Sequence, residues 1–163
     1  MKKGFTMIEL IFVIVILGIL ASVAIPRLAA TREDAEISAA VANLRTLVSD
    51  ATSYYTAKGT FDSTNWNQIT NVPLTSATTT VTTDGAKLKA GGQDCITVKL
   101  VEKAGDKPAH IVFGKENANT GVCKQVVESA PVKVYLESKI TSNGTAGEMA
   151  IGSSTSVYTT PTQ

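Results

Sequence analysis

Hydrophobic residues are concentrated at the amino-terminal end of the chain. From Leu10 to Ile25 no residue carries a charge, and the apolar stretch begins as early as Phe5. Its length is close to the roughly 20 apolar residues that an α-helix needs to cross a bilayer. The pattern predicts a helix whose whole circumference meets lipid or other apolar side chains.

A second pattern follows, with one apolar residue at every third or fourth position. Residues 28–57 contain no Gly or Pro and are rich in Ala, which favours a helix. Their spacing marks one helix face, formed by Ile37, Val41, Leu44, Val48, Ala51 and Tyr55. Lys58-Gly59 is a typical helix end. We expect one helix of about 80 Å, kinked or locally unwound at Pro26.

The rest of the chain predicts a small antiparallel sheet. Residues 95–100 and 109–113 have strand patterns and are joined by turn-forming residues, so they predict a hairpin. Further strands are expected at 122–127 and 132–136, and a short helix at 66–70 with Trp66 as a packing anchor. The predicted fold class is α+β, with the amphipathic half of the helix packed on three or four strands.

Three segments allow more than one interpretation. Residues 75–83 are rich in Thr and fit either an edge strand or an exposed loop. Parts of 126–140 fit a helix as well as a strand. Residues 141–163 form a tail rich in Ser, Thr and Gly, whose end we expect to be loosely held.

The composition excludes several classes of function. The chain has 163 residues, the length of one domain, with 15 Lys and Arg against 14 Asp and Glu. This balance provides no basic face for nucleic acid. One histidine, His110, and two cysteines cannot complete a zinc site without carboxylates. Because no nucleotide-binding or nucleophile motif occurs, we expect a non-enzymatic protein without cofactor or metal.

The amino-terminal block fits three kinds of segment. It could be a secretory signal peptide, with Lys2-Lys3 as its basic end and cleavage after Ala24. It could be a transmembrane anchor with the lysines on the cytoplasmic side. It could also be a prepilin-type signal, which is cut before the apolar segment. Glu9 favours the third, because an ionisable group in an apolar helix is costly and marks function. Its expected partner is a new α-amino group at Phe5 of a neighbouring copy.

Residues 3–9, KGFTMIE, resemble the type III signal of type IV pilins and type II secretion pseudopilins. The resemblance implies that prepilin peptidase cuts after Gly4 and methylates the new amino terminus at Phe5. It also implies that Glu9 neutralises the amine of a neighbouring subunit during assembly.

The resemblance implies a domain plan as well. Gly18 and Pro26 fall where family members carry residues that weaken the helix. The plan comprises a leader (1–4), a transmembrane and filament-core helix (5–26), an amphipathic helix half (27–58) and a β-rich head with a Ser/Thr-rich tail (59–163). Together these parts correspond to the pilin fold.

The implied function is that of a structural filament subunit, in particular a type II secretion-type pseudopilin. Its partners would be other pilin-like subunits, the prepilin peptidase and an inner-membrane assembly platform. The amino terminus would be cytoplasmic and the head periplasmic before the subunit enters a periplasmic or surface filament. Alternatives are an adhesion or twitching pilin, a DNA-uptake pseudopilin, or an ordinary secreted periplasmic protein cleaved after Ala24.

Cys95 and Cys123 are candidates for a disulfide. If the head lies outside the inner membrane, it occupies a compartment where disulfides persist; the alternative is two buried free thiols. Major pseudopilins often bind calcium in a carboxyl-terminal loop, but no such site can be mapped onto this sequence. The acidic loop residues fit no EF-hand spacing: Asp84, Asp94, Asp106 and Glu116.

Overall fold

The computed structural model describes residues 4–61, 65–75, 85–119, 121–140 and 144–151. The chain divides into two compact units, Met1–Ala35 and Glu36–Gln163. The elements in chain order are α1 (Met7–Lys58), α2 (Trp66–Ile69), β1 (Leu74–Thr75), β2 (Ala86–Ala90), β3 (Gln93–Val101), β4 (His110–Lys115), α3 (Gly121–Glu128), α4 (Ala130–Glu137) and β5 (Glu148–Ala150).

The long helix α1 ends where the sequence predicts. Gly59 has a left-handed φ of 75°, and its N–H donates to the Tyr55 carbonyl at 2.7 Å, as a glycine after a helix does. The backbone stays helical through Pro26, so the local unwinding considered there is not found. Proline removes one donor, and a helix of 52 residues loses only a small part of its hydrogen bonds at one position.

The second half of α1 contributes one face to the core of the Glu36–Gln163 unit. Ala40, Leu44, Leu47 and Ala51 are all at most 2% exposed. The predicted stripe is therefore confirmed at Leu44 and Ala51, while Leu47 was missed. The other stripe residues are partly buried at its margins: Ile37, Val41, Val48 and Tyr55.

The sheet is an antiparallel meander in which strand order follows chain order, β1-β2-β3-β4-β5. The predicted β3–β4 hairpin is confirmed, with Val98 opposite Phe113. Within the described residues the sheet has five strands, more than the three or four expected. Strand β2 was missed because its sequence, AKLKA, is built of Ala and Lys, which are weak strand formers. A two-residue turn, Gly91-Gly92, with φ of 59° and 76°, joins β2 to β3.

Two predicted strands are wrong, because residues 122–127 and 132–136 lie in α3 and α4. Helix α3 buries Cys123, Val126 and Val127, which share one helix face. Helix α4 buries Val132 and Leu136, four residues apart. The valines suggested strands because β-branched residues favour them, but the burial follows the helical period. Proline in the first turn of α4 is favourable for a helix start.

The chain after α1 is anchored by aromatic packing and one carboxylate. Phe61 is fully buried against Tyr55, with ring centroids 4.9 Å apart. The Phe61 N–H and the Thr60 hydroxyl both donate to Glu102 at the end of β3. Trp66 is also fully buried, which confirms it as a packing anchor.

A fragment beginning at residue 29 should be soluble and folded, because the exposed apolar residues of α1 end at Leu28 and the core begins at Ala40. In this fragment we expect Gly147→Ala to lower the free energy of unfolding by about 3 kcal/mol. Its φ is 86°, and a Cβ would lie 2.4 Å from the Phe113 carbonyl oxygen. Urea unfolding followed by circular dichroism measures the loss.

Gly92→Ala is the matched control. Its φ is 76°, and among the described residues no atom lies within 4 Å of a Cβ built there. It should therefore cost only about 1 kcal/mol, the strain of the left-handed backbone. Equal losses in the two variants would contradict a steric role for Gly147, and an unfolded fragment would contradict the boundary at residue 29.

Candidate functional site

The first unit presents an apolar surface on all sides of α1. On the helix the exposure of these side chains ranges from 40% at Ile16 to 79% at Met7, and Phe5 just before the helix is 86% exposed. The exposed residues are Phe5, Met7, Ile8, Leu10, Ile11, Phe12, Val13, Ile14, Val15, Ile16, Leu17, Ile19, Leu20, Val23, Ile25 and Leu28. Among the described residues one helix, α1, is long and apolar enough to cross a membrane. A soluble monomer rarely exposes so large an apolar patch, so this segment requires lipid or other apolar helices around it.

Thr6 and Glu9 are bonded to each other at the start of α1. The Thr6 backbone N–H donates to Glu9 Oε2 at 2.8 Å, and the Thr6 hydroxyl donates to the same oxygen at 2.6 Å. In return, the Glu9 N–H donates to Thr6 Oγ1 at 3.4 Å. This reciprocal arrangement is a capping box, which satisfies backbone donors at a helix start. Glu9 therefore has a partner within its own chain.

This capping box was not predicted, although its signature is present in the sequence. Thr6-Met7-Ile8-Glu9 has a hydroxyl three residues before a glutamate, ahead of an apolar run. Besides carrying a charge, the Glu9 side chain accepts a hydrogen bond from a backbone N–H. The predicted helix start was wrong by two residues. The helix was expected from Phe5, but α1 begins at Met7, directly after the capping residue Thr6.

Gly4 and Phe5 lie outside the helix and in open space. Phe5 is 86% exposed. Within the described part of the chain, no heavy atom lies within 4 Å of a Cβ built on Gly4, and its φ is not left-handed. Neither packing nor backbone conformation therefore requires a glycine at position 4.

Gly18 and Pro26 lie farther along α1 and are not part of the capping box. Gly18 is nine residues beyond Glu9, about 14 Å along a helix. As at Gly4, the described residues place no atom within 4 Å of a Cβ at Gly18. The structure thus groups Glu9 with Thr6 and leaves the two helix-weakening candidates separate from them.

A family model for the prokaryotic N-terminal methylation motif matches residues 1–25. This chain carries the hallmark motif of type IV pilin-like proteins. No curated protein matches the chain, and no solved structure matches it either. The pilin-like motif implies processing by prepilin peptidase and assembly with other pilins. Proteins of the pilin-like family are structural rather than enzymatic.

The head carries the predicted disulfide, Cys95–Cys123, with Cα atoms 4.9 Å apart. A bulge in β3 makes it possible: Leu88 pairs with Ile96 and Lys89 with Asp94, so Cys95 is the extra residue. Both Cys95 and the adjacent Ile96 are buried, which a regular strand does not allow but a bulge does. Its partner Cys123 lies on α3, where a strand over residues 122–127 was expected.

Within the described residues, His110 and the acidic loop residues Asp94 and Glu116 each have a partner in the fold. His110 is 4% exposed and its Nδ1 lies 2.9 Å from the Pro108 carbonyl oxygen, so this nitrogen donates. Asp94 accepts from Thr75, and Glu116 pairs with Lys87 at 3.3 Å. Asp84 lies outside the described residues. Across the described ranges no three His, Cys, Asp or Glu side chains are grouped to hold a metal ion.

Reducing the Cys95–Cys123 bond should lower the melting temperature of the head. The bond closes a loop with a sequence separation of 28, worth about 3.5 kcal/mol in the chain-entropy model. Thermal unfolding with and without dithiothreitol measures the effect. A Cys95→Ser/Cys123→Ser double variant is the control and should not respond to the reductant. Titration of two reactive thiols in native protein would contradict the bond.

Proposed function

We propose that this chain is a structural subunit of a type IV pilus-like filament, in particular a type II secretion-type pseudopilin. The observation that carries the proposal is one carboxylate, Glu9, in an otherwise apolar and exposed segment that matches the methylation motif. Residues 1–4 are removed as a leader, and Phe5 becomes the methylated amino terminus.

Glu9 acts as the register device of assembly. A carboxylate among apolar helices must be paired, since an uncompensated charge there is costly. The hydrogen bonds from Thr6 go to Oε2. Oε1 is the oxygen that accepts from the α-ammonium of Phe5 in a neighbouring subunit. A buried charge pair of this kind specifies register more than it adds stability.

The apolar half of α1 anchors the subunit before assembly and fills the filament core afterwards. Lys2 and Lys3 set the amino terminus on the cytoplasmic side, so the head is on the periplasmic side. Neighbouring helices then replace lipid as the apolar surroundings of residues 5–26. Gly18 and Pro26 weaken the helix locally and let it adapt between the two surroundings. The heads form the outer surface of the filament.

The charge of the head argues against a DNA-uptake role. Residues 59–163 carry 9 Lys and Arg against 9 Asp and Glu, and DNA binding requires clustered positive charge. Several of these charges are paired with each other, as in Lys107–Glu148 at 3.4 Å and Lys87–Glu116. A secretion-type filament needs no such basic face, which favours it over the DNA-uptake alternative.

The mature protein should begin at methylated Phe5, as intact-mass and amino-terminal sequence analysis can measure. Gly4→Leu should leave an uncleaved precursor in the membrane fraction. Because Gly4 lies in open space, this substitution changes what the peptidase binds and not the fold. A mature protein beginning at Ile25 would identify an ordinary secreted protein instead, and normal processing of the Gly4 variant would contradict the proposed cleavage.

Glu9→Gln should abolish filaments while leaving insertion and cleavage intact. Glutamine retains the oxygen that the capping box requires but cannot neutralise the Phe5 amine. We expect filament yield to fall at least about tenfold, because removing the Glu9 charge leaves the buried Phe5 α-ammonium without a counter-charge. Shearing and pelleting against the membrane fraction measures the yield. Glu33→Gln, on the same helix beyond the apolar segment, is the control and should assemble normally. Wild-type filament yield from Glu9→Gln would refute the register role.

A further inference from the structure

The bond that the peptidase must cut lies just before a sharply fixed helix start. Gly4, Phe5 and Thr6 are non-helical and exposed, and α1 begins at Met7. Exposed, non-helical backbone is the usual substrate of proteolysis, because its N–H and C=O groups are free to pair with the enzyme as an extended strand. The position of the helix start therefore decides whether the Gly4–Phe5 bond can be bound.

The surroundings of this segment favour a longer helix. In apolar surroundings each backbone polar group must be satisfied internally, which drives helix formation. Without another partner, the Thr6 N–H would find one by extending the helix toward the leader. The Glu9 side chain supplies that partner at 2.8 Å, and the Thr6 hydroxyl supplies one for the Glu9 N–H at 3.4 Å. Two donors are thus satisfied while Thr6 stays outside the helix.

We propose that the Thr6–Glu9 capping box positions the cleavage site for processing. It fixes the start of α1 at Met7, so that Phe5 and Thr6 stay outside the helix, and it keeps Gly4–Phe5 extended for the peptidase. The inference rests on the proposed function, and it assigns Glu9 a role before assembly that does not depend on its charge. Thr6 becomes a positioning residue that acts through the backbone. Gly4 serves the enzyme by its small size, since the described fold places nothing against it.

Four variants distinguish the effect of the capping box on processing from the effect of the Glu9 charge. Thr6→Ala and Glu9→Ala each break the box, and Ala also favours extension of the helix. Thr6→Ser and Glu9→Gln each keep it. The Ala variants should be processed about fivefold more slowly, because losing a cap usually changes a helix equilibrium by about that factor. The conservative variants should be within about twofold of wild type. The double Ala variant should be no slower than the slower single variant, because both remove one shared interaction.

The experiment follows the full-length chain in cells that express the peptidase. Pulse-chase labelling gives the rate of conversion from membrane-inserted precursor to mature protein. A second measurement reads the helix start directly: the carbon chemical shifts of labelled Phe5 in micelle-bound precursor should move toward helical values in the Ala variants only. The unfolding midpoint of the head should be the same in every variant.

Each possible result decides the inference. Slow Ala variants with fast Ser and Gln variants would support it. Wild-type rates in the Ala variants would overturn it, as would a Glu9→Gln variant as slow as Glu9→Ala, which would show that the charge matters. A slow Thr6→Ala variant with unchanged Phe5 shifts would also overturn it, since Thr6 would then contact the enzyme directly. A wild-type chain that is not cut after Gly4 would contradict the proposed function itself. A wild-type chain that is cut, together with Ala variants that are cut equally fast, would contradict only the role of the capping box.

Discussion

The apolar circumference of α1 between Met7 and Leu28 is the constraint on which the rest of the molecule depends. Apolar side chains that are 40–79% exposed on one helix must be covered by lipid or by equivalent helices. In either setting water is absent, so every polar atom in the segment needs an internal partner. The one carboxylate there, that of Glu9, accepts two hydrogen bonds from Thr6, and the Glu9 N–H donates a third to Thr6 Oγ1. The observed start of α1 depends on how this group is satisfied, and the proposed cleavage site and subunit contact depend on it in turn.

In the second unit, the same helix buries only one apolar face, in the core of that unit. Beyond residue 36 the apolar residues of α1 narrow to one face, which is buried against the sheet. The carboxyl end of the helix is then fixed by Gly59 and by the hydrogen bonds that Thr60 and Phe61 give to Glu102. A change in hydrophobic pattern, not a break in the helix, thus separates the part that needs apolar surroundings from the part that builds the head.

Sequence patterns predicted the features that depend on long, regular periods. The extent of α1, its buried face around Leu44 and its end at Gly59 were all readable, as was the β3–β4 hairpin. Features that depend on tertiary contacts could not be predicted from these patterns. Valines at 122, 126 and 127 suggested a strand, yet their contacts are those of α3. Strand β2 lacks strand formers and exists because β3 and a Gly-Gly turn hold it. The capping box could have been predicted from the spacing of Thr6 and Glu9, but Glu9 was interpreted from its charge alone, as an assembly residue.

The meander order of the sheet has a consequence for how the head comes together. Because each strand pairs with the one before it, strand pairing closes mostly short loops, and only the β4–β5 pairing spans the two intervening helices. Short loops cost little entropy and form early. The contacts that close the core are of another kind, since Leu44 and Leu47 meet strands that follow them by about forty residues or more. We therefore expect the face of α1 that carries Leu44 and Leu47 to be covered only after the strands have paired with one another.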